Sequence, residues 1–281
     1  MGNIQAKSFT AVQIEPLSKE TRIGLPMASG FMCSYKSRFY LVTNWHVVSG
    51  RNFETNEIMH NRGAIPGFLN LKFHIANEDS NGVANPSSYS INDIPLYKMV
   101  EDEEAKWSPE VPLWLEHPKL KQSVDVVCLD ITEDITNLKI DNIIVYNIEE
   151  EIENGTSVNV MDNVFVIGFP LKSSTTPNGY PIYKGATIAS EPNVKQKLPL
   201  FYIDGKTKKG MSGSAVILIE RPKLENDRGV LKFYTANVYL VGVYSGRERQ
   251  SKDEHEAEMG IVWNISGALL PILNKSIEQK E

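Results

Sequence analysis

Two cysteines in 281 residues are too few for a disulfide framework. Cys33 and Cys128 each stand alone in an apolar run, which also excludes a Cys-x-x-Cys metal or redox site. Positive charge is scarce as well. A net charge of -6 argues against a general binder of nucleic acid or of anionic membrane surfaces, since both need a positive field. No run of about 18 apolar residues, the length of a membrane-spanning helix, occurs. The opening "MGNIQAKSFTAVQIEP" lacks the charged-then-apolar pattern of a signal peptide. These absences predict a cytoplasmic protein with buried free thiols, with no cofactor, no metal, no nucleic-acid partner and no membrane partner.

Short runs rich in Val, Ile, Phe and Tyr are what the chain has in quantity. "SGFMCSY", "RFYLVTNWHVV", "FLNLKFHIA", "VDVVCLDI", "NVFVIGFP", "GSAVILIE" and "GIVWNI" recur between turn clusters, with no long helical periodicity between them. They predict β-strands of about four to eight residues and an all-β sandwich or pair of barrels. One helix is expected, over residues 266–280, where Leu269, Leu270, Ile272, Leu273 and Ile277 form an apolar stripe. The polar stretch 77–93 reads as an exposed loop. The stretch 146–156, with its charge run and Asn-Gly, reads as a linker between two halves, and the acidic run 101–104 as a solvated face.

Ser212 lies in "KTKKGMSGSAVIL", between small residues. A serine hydroxyl is a weak nucleophile unless a base takes its proton, and the base works best when a buried carboxylate orients it. His60 and His117 sit in polar or Pro-flanked loops, His74 in a strand-like run and His255 in a charged stretch, all settings that suit surface or packing roles. His46 differs, because it ends the strand-like "FYLVTNWHVVSG", where a scaffold gives way to a turn. Asp125 opens "VDVVCLDI", so its charge is set among buried neighbours and needs a partner. Asp130 reads as the solvated end of that strand. The order His46, Asp125, Ser212 is one of the orders in which serine triads occur.

"TNWHVV" around His46, "DVVCL" from Asp125, "VIGFP" from Val166 and "GMSGSAV" from Gly210 resemble the trypsin-like serine peptidases, in particular the bacterial, disulfide-free type. The resemblance spans about residues 30–263. It implies two six-stranded antiparallel β-barrels of chymotrypsin-like form with a C-terminal helix, the first barrel in residues 1–150 carrying His46 and Asp125, the second in 151–281 carrying Ser212. It implies a serine endopeptidase that works through an acyl-enzyme, with His46 as base and then acid, and with the backbone N–H groups of Gly210 and Ser212 as the oxyanion hole. Where the animal digestive enzymes carry Asp before the serine, this chain has Met211, so their zymogen switch is not expected.

By the same resemblance the specificity pocket is walled by residues 206–209 and 242–247, which makes Lys206, Thr207, Tyr244, Ser245 and Gly246 the expected substrate-binding residues. Thr207 matches a Thr that helps hold Glu or Gln in glutamyl endopeptidases and picornavirus-type proteases. Tyr244 stands where those enzymes carry His. Lys206, Lys208, Lys209, Arg247 and Arg249 read either as solvated loop charges or as a field that draws acidic substrates. The strand "VYLVGVYSG" is expected to bind substrate along its edge. The expected partners are a protein or peptide substrate and an activating partner. The alternatives are a latent or inactive protease-fold module that binds an extended peptide or partner protein, and an ester hydrolase with the same triad.

Overall fold

Strands buried on both faces explain why the sequence shows apolar runs rather than clean alternation. The computed structural model describes residues 5–78, 84–99, 110–140, 143–170, 179–194, 196–220, 223–227, 230–234, 237–247 and 259–278. Among these residues the chain is mostly strand, and the all-β class with a C-terminal helix is what the sequence predicts.

An N-terminal eight-stranded sheet contains β1 (Ala11–Ser18), β2 (Ala28–Tyr35), β3 (Arg38–Thr43), β4 (Pro66–Glu78) and β5 (Ala84–Pro95). Beyond the short hairpin β6 (Tyr97–Met99) and β7 (Glu110–Pro112), it adds β8 (Leu115–Glu116), β9 (Val127–Asp130) and β10 (Tyr146–Asn147). The order is β5-β4-β1-β2-β3-β9-β8, with β10 alongside β2. This first unit therefore carries eight strands where six are expected. The second unit is a closed antiparallel barrel of six. It comprises β11 (Asn163–Gly168), β12 (Ile182–Ile188), β13 (Leu200–Asp204), β14 (Ala215–Ile219), β17 (Val238–Arg247) and β18 (Met259–Asn264), with the hairpin β15 (Lys223–Asp227) and β16 (Val230–Tyr234) between β14 and β17.

Side chains that alternate along each strand divide between three cores. Met32 on β2, Leu41 on β3 and Leu129 on β9 point into the N-terminal sheet with Leu69, Leu71 and Phe73. Their neighbours Phe31, Cys33, Tyr40, Val42 and Cys128 point the other way, into a core shared with the barrel's Ile167, Phe169, Ala215, Ile217, Val243 and Trp263. Val164, Val166, Val216, Leu218 and Val262 fill the barrel's interior. The shared core fixes the two units against each other and so sets any site on their seam.

The C-terminal segment completes that core. A π turn at Ile265–Leu269 leads into α4 (Leu270–Glu278), which buries Ile272 and Leu273. Pro271 has no N–H for the carbonyl four residues back, and the wider turn that precedes it accommodates the loss.

Two expectations need correction. Residues 77–93 are not a loop throughout: β4 and β5 pair from Phe68↔Pro95 to Glu78↔Ala84, and the hairpin's polar side chains suit a strand with a solvated face. Residues 146–156 are not a free linker. Tyr146 pairs in parallel with Cys33 and packs edge-to-face on Phe31 at 5.4 Å, and Asn147 then caps α3 (Ile148–Glu153) by accepting the N–H groups of Glu149 and Glu150. The acidic run 101–104 and His255 lie outside the described residues.

His117 is buried, and its Nδ1 accepts the N–H groups of Lys119 and Leu120 at 3.2 and 3.0 Å. Loss of hydration lowers its pKa below the ordinary histidine value, with the Gly267 main chain partly opposing. A depressed histidine pKa means that the unfolded chain binds the proton more readily. The stability it protects is thus complete above the unfolded value of about 6.5 and is lost as pH falls through that value toward the folded one. Thermal unfolding of wild type and His117→Asn across this range tests the point: the melting temperature of wild type should fall more steeply on acidification, and parallel curves would refute it.

Candidate active site

β3 ends at Thr43, and the chain turns at once into the five-residue helix α1 (Trp45–Ser49). Trp45, Val47 and Val48 bury themselves in the N-terminal core, which leaves His46 on the face toward the seam. Gly50 closes the helix in the left-handed region at φ 68°, where its N–H donates to the His46 carbonyl at 3.0 Å. His46 therefore sits on a helix just past the strand rather than at the strand end itself. Its side chain is 11% exposed.

Asp125 stands two residues before β9 and is fully buried. Its Oδ1 accepts the His46 main-chain N–H at 2.9 Å, and its Oδ2 lies 2.7 Å from His46 Nδ1. Ser245 Oγ donates to the same Oδ2 at 2.5 Å. A carboxylate out of water needs such donors. An ionised carboxylate only accepts hydrogen bonds, so a neutral imidazole facing one donates through Nδ1 and carries its lone pair on Nε2. Asn44 occupies the N-cap position of α1 but does not cap it. Its Nδ2 instead donates to the Asp125 carbonyl at 2.6 Å and holds the aspartate from behind.

Ser212 lies on the turn before β14, half-buried. Its carbonyl accepts the Ser29 N–H at 2.9 Å, while Ser29 Oγ donates to the Gly210 carbonyl at 2.7 Å and accepts the Phe169 N–H at 2.8 Å. Thr43 Oγ1 in turn donates to the Ser29 carbonyl at 2.9 Å. Gly213, at φ 85°, fits directly onto this pair: a Cβ there would stand 2.1 Å from the Ser29 carbonyl oxygen and 2.4 Å from Thr43 Oγ1. The turn is thereby pressed against the strand that leads to His46. Gly210 adopts φ 96°, open to glycine and strained for other residues. Among the described residues the N–H groups of Gly210 and Ser212 have no protein acceptor, and no hydrogen bond joins Ser212 Oγ to His46.

The expected substrate-binding residues fall on both sides of this turn. Lys206 is exposed. Thr207 and Tyr244 are buried and joined through their hydroxyls. Ser245 belongs to the Asp125 cluster, and a Cβ on Gly246 would meet nothing within 4 Å. Lys208 and Lys209 are exposed; the Arg247 side chain and all of Arg249 lie outside what is described. The strand 238–247 is not an edge along its length. β17 pairs with β14 up to Ala215↔Val243 and with β18 as far as Arg247↔Gly260, so only the end beyond Val243 has a side without a strand among the described residues. Beside His46 a shallow, open hollow is lined by Asn52, Phe53, Glu54, Met59, Ser245 and Ile261.

Ser29 and Asn44 escape the sequence reading, since a serine in a strand-like run and an asparagine before a histidine carry no signal until the two units meet. Asp130 is not solvated but paired: Arg38 Nε and Nη2 donate to its Oδ2 at 2.9 and 2.5 Å. Burial pushes the thiols of Cys33 and Cys128 well above the free-cysteine range, so neither is a nucleophile near neutral pH. Among the described residues no cluster of three or more His, Cys, Asp or Glu is arranged to hold a metal.

No family model matches the chain, and no curated protein matches it. Among solved structures, it is similar to the crystal structure of Rv3671c from M. tuberculosis H37Rv, a serine-to-alanine mutant in its inactive form. Identity is 14% and the TM-score 0.45, over 98% of this chain and 90% of that one. It is also similar to the crystal structure of the Rv3671c protease in its inactive form, at 15% identity and a TM-score of 0.43, over 96% of this chain and 90% of that one.

The crowding at Gly213 gives a direct test of the docked turn. Gly246 has φ 114° and, among the described residues, nothing within 4 Å of an added Cβ, whereas Gly213 has both a positive φ and backbone atoms in the way. Gly246→Ala should therefore cost only the conformational penalty, roughly 1–3 kcal/mol, and Gly213→Ala clearly more in denaturant unfolding. Equal losses would show that the seam does not crowd Gly213.

Proposed function

We propose that this chain is a serine endopeptidase of the trypsin-like kind, in which Ser212, His46 and Asp125 hydrolyse peptide bonds. The observation that carries the reading is the His46 imidazole held at Nδ1 by a buried carboxylate, beside a docked turn whose serine is flanked by two unengaged N–H groups. Ser212 Oγ attacks the scissile carbonyl while His46 Nε2 takes its proton, and the oxygen gains charge between the N–H groups of Gly210 and Ser212. As that intermediate collapses, His46 returns the proton to the departing amine. A water that His46 deprotonates then attacks the acyl-enzyme; as the second intermediate collapses the bond from Ser212 Oγ to the acyl carbon breaks, His46 returns the proton to Oγ, and the acid product leaves. Asp125 orients the imidazole throughout and stabilises its protonated form.

The substrate backbone is proposed to lie along Ser245–Arg247, where β17 runs past β14 and has a side for an added strand. Among the described residues no helix is long and apolar enough to cross a membrane. The proposed setting is the cytoplasm, where Cys33 and Cys128 stay reduced. Partners are a protein or peptide substrate and, for the reading below, an activator.

One observation favours a second reading. Ser212 and His46 are not hydrogen-bonded to each other, which suits a latent protease or peptide-binding module whose serine engages the histidine only once a ligand or partner orders it.

Labelling with a fluorophosphonate probe separates the two. The active peptidase should label at one site, with labelling abolished in Ser212→Ala and reduced by about 10³-fold or more in His46→Ala. A well-folded wild type that resists the probe even with peptide present would discard the peptidase reading in favour of the binding module.

A further inference from the structure

We infer that Tyr244 and Thr207 close the recess beside Ser212 that receives the substrate side chain before the scissile bond, so that cleavage follows residues with small side chains such as Gly, Ala or Ser. The inference rests on the peptidase reading and specifies its substrate class.

When the attacked carbonyl oxygen lies at the N–H groups of Gly210 and Ser212, the side chain of that residue is directed between the turn 206–211 and the strand β17, since these flank Ser212. The chain just past Ser212 is bolted to β17: Gly213 N–H donates to the Tyr244 carbonyl at 2.8 Å, and Tyr244 N–H to the Ser214 carbonyl at 2.9 Å. Tyr244 thus stands directly across from the nucleophile turn. Its side chain does not extend into solvent. It is 2% exposed and packs among Met211, Val216, Ile203 and Val262. The ring lies over β18, where a Cβ on Gly260 would come within 2.7 Å of Tyr244 Cε2; only a glycine there leaves room for it. Its hydroxyl reaches back across the gap and bonds Thr207 Oγ1, which is itself buried at 4% exposure.

A phenol ring and a threonine hydroxyl therefore occupy the space that a long substrate side chain would need. To admit Phe, Arg or Gln, the protein would have to break the Thr207–Tyr244 bond and expel a buried aromatic. The lysines that could draw an acidic side chain, Lys206, Lys208 and Lys209, stand exposed on the outer rim of the turn, outside this recess. The hollow beside His46, lined by Phe53, Met59 and Ile261, has neither Tyr244 nor Thr207 in its lining and so suits a different substrate position.

The test compares kcat/KM for fluorogenic peptides that differ only in having Ala, Phe, Gln or Arg before the scissile bond. Wild type should favour Ala over Phe by about 100-fold, the scale at which a filled pocket rejects bulk. Tyr244→Ala should shift that ratio toward Phe by about 10-fold or more, whereas Tyr244→Phe, which keeps the ring, should retain the preference for Ala. Should Tyr244→Ala not fold, the wild-type profile decides alone. Cleavage after Phe, Gln or Arg as efficient as after Ala overturns the inference and leaves the peptidase reading standing. If no peptide is cleaved, calorimetry of Ser212→Ala with peptides ending in Ala or Phe decides. Tighter binding of the Ala peptide keeps the small-side-chain recess as a binding feature while the peptidase reading and the cleavage preference fall, and equal or absent binding overturns the recess as well.

Discussion

The contact on which the proposed site depends is Ser29 against the turn that carries Ser212. Ser29 is a residue of the N-terminal sheet, yet its N–H, its hydroxyl and, through Thr43, its carbonyl tie together the Ser212 carbonyl, the Gly210 carbonyl, the Phe169 N–H and the strand that ends before His46. Ser29, Thr43 and Phe169 are buried while Gly210 and Ser212 are half-buried, so an unmade bond among the buried groups would cost on the order of 1–3 kcal/mol. A turn held by its carbonyls leaves the N–H groups of Gly210 and Ser212 without a protein acceptor among the described residues. In this way one serine fixes the position of Ser212 and of Gly210 at once.

The same logic governs Asp125. A buried charge is tolerable only when saturated with donors, and the donors here come from both units: His46 main chain and ring from the first, Ser245 from the barrel. The aspartate is therefore comfortable only when the barrel is docked. Below it lies the shared core, in which Phe31, Tyr40, Val42 and Cys128 meet Ile167, Ile217, Val243 and Trp263. Apolar burial brings the two units together, and the polar contacts around Ser29 and Asp125 select one alignment.

Much of this was legible in the sequence. The apolar runs identified the strands because both of their faces are buried, and the types and order of His46, Asp125 and Ser212 pointed to one seam. The residues that stayed hidden act through long-range pairing. Ser29 looks like an ordinary strand serine until a partner from the other unit arrives, Ser245 was expected to meet substrate rather than Asp125, and nothing in the sequence around Asn44 signals that its amide serves Asp125. Tyr146 and Asn147 read as a linker because a two-residue parallel strand is too short to show a period, and residues 77–93 read as a loop because a solvated hairpin is polar. Tyr244 stood out in the sequence as a tyrosine where the resemblance led one to expect histidine, but its burial against Gly260 depends on strand register, which composition does not encode.

The central claim is that Ser212 is a nucleophile whose oxyanion is held by its own N–H and that of Gly210. A crystal structure of the protein after reaction with a peptidyl phosphonate tests it most directly. The account predicts continuous density from Ser212 Oγ to phosphorus, with a phosphonyl oxygen about 2.7–3.1 Å from both N–H groups. An adduct on another residue, or one on Ser212 whose oxygen points away from both N–H groups, would contradict it.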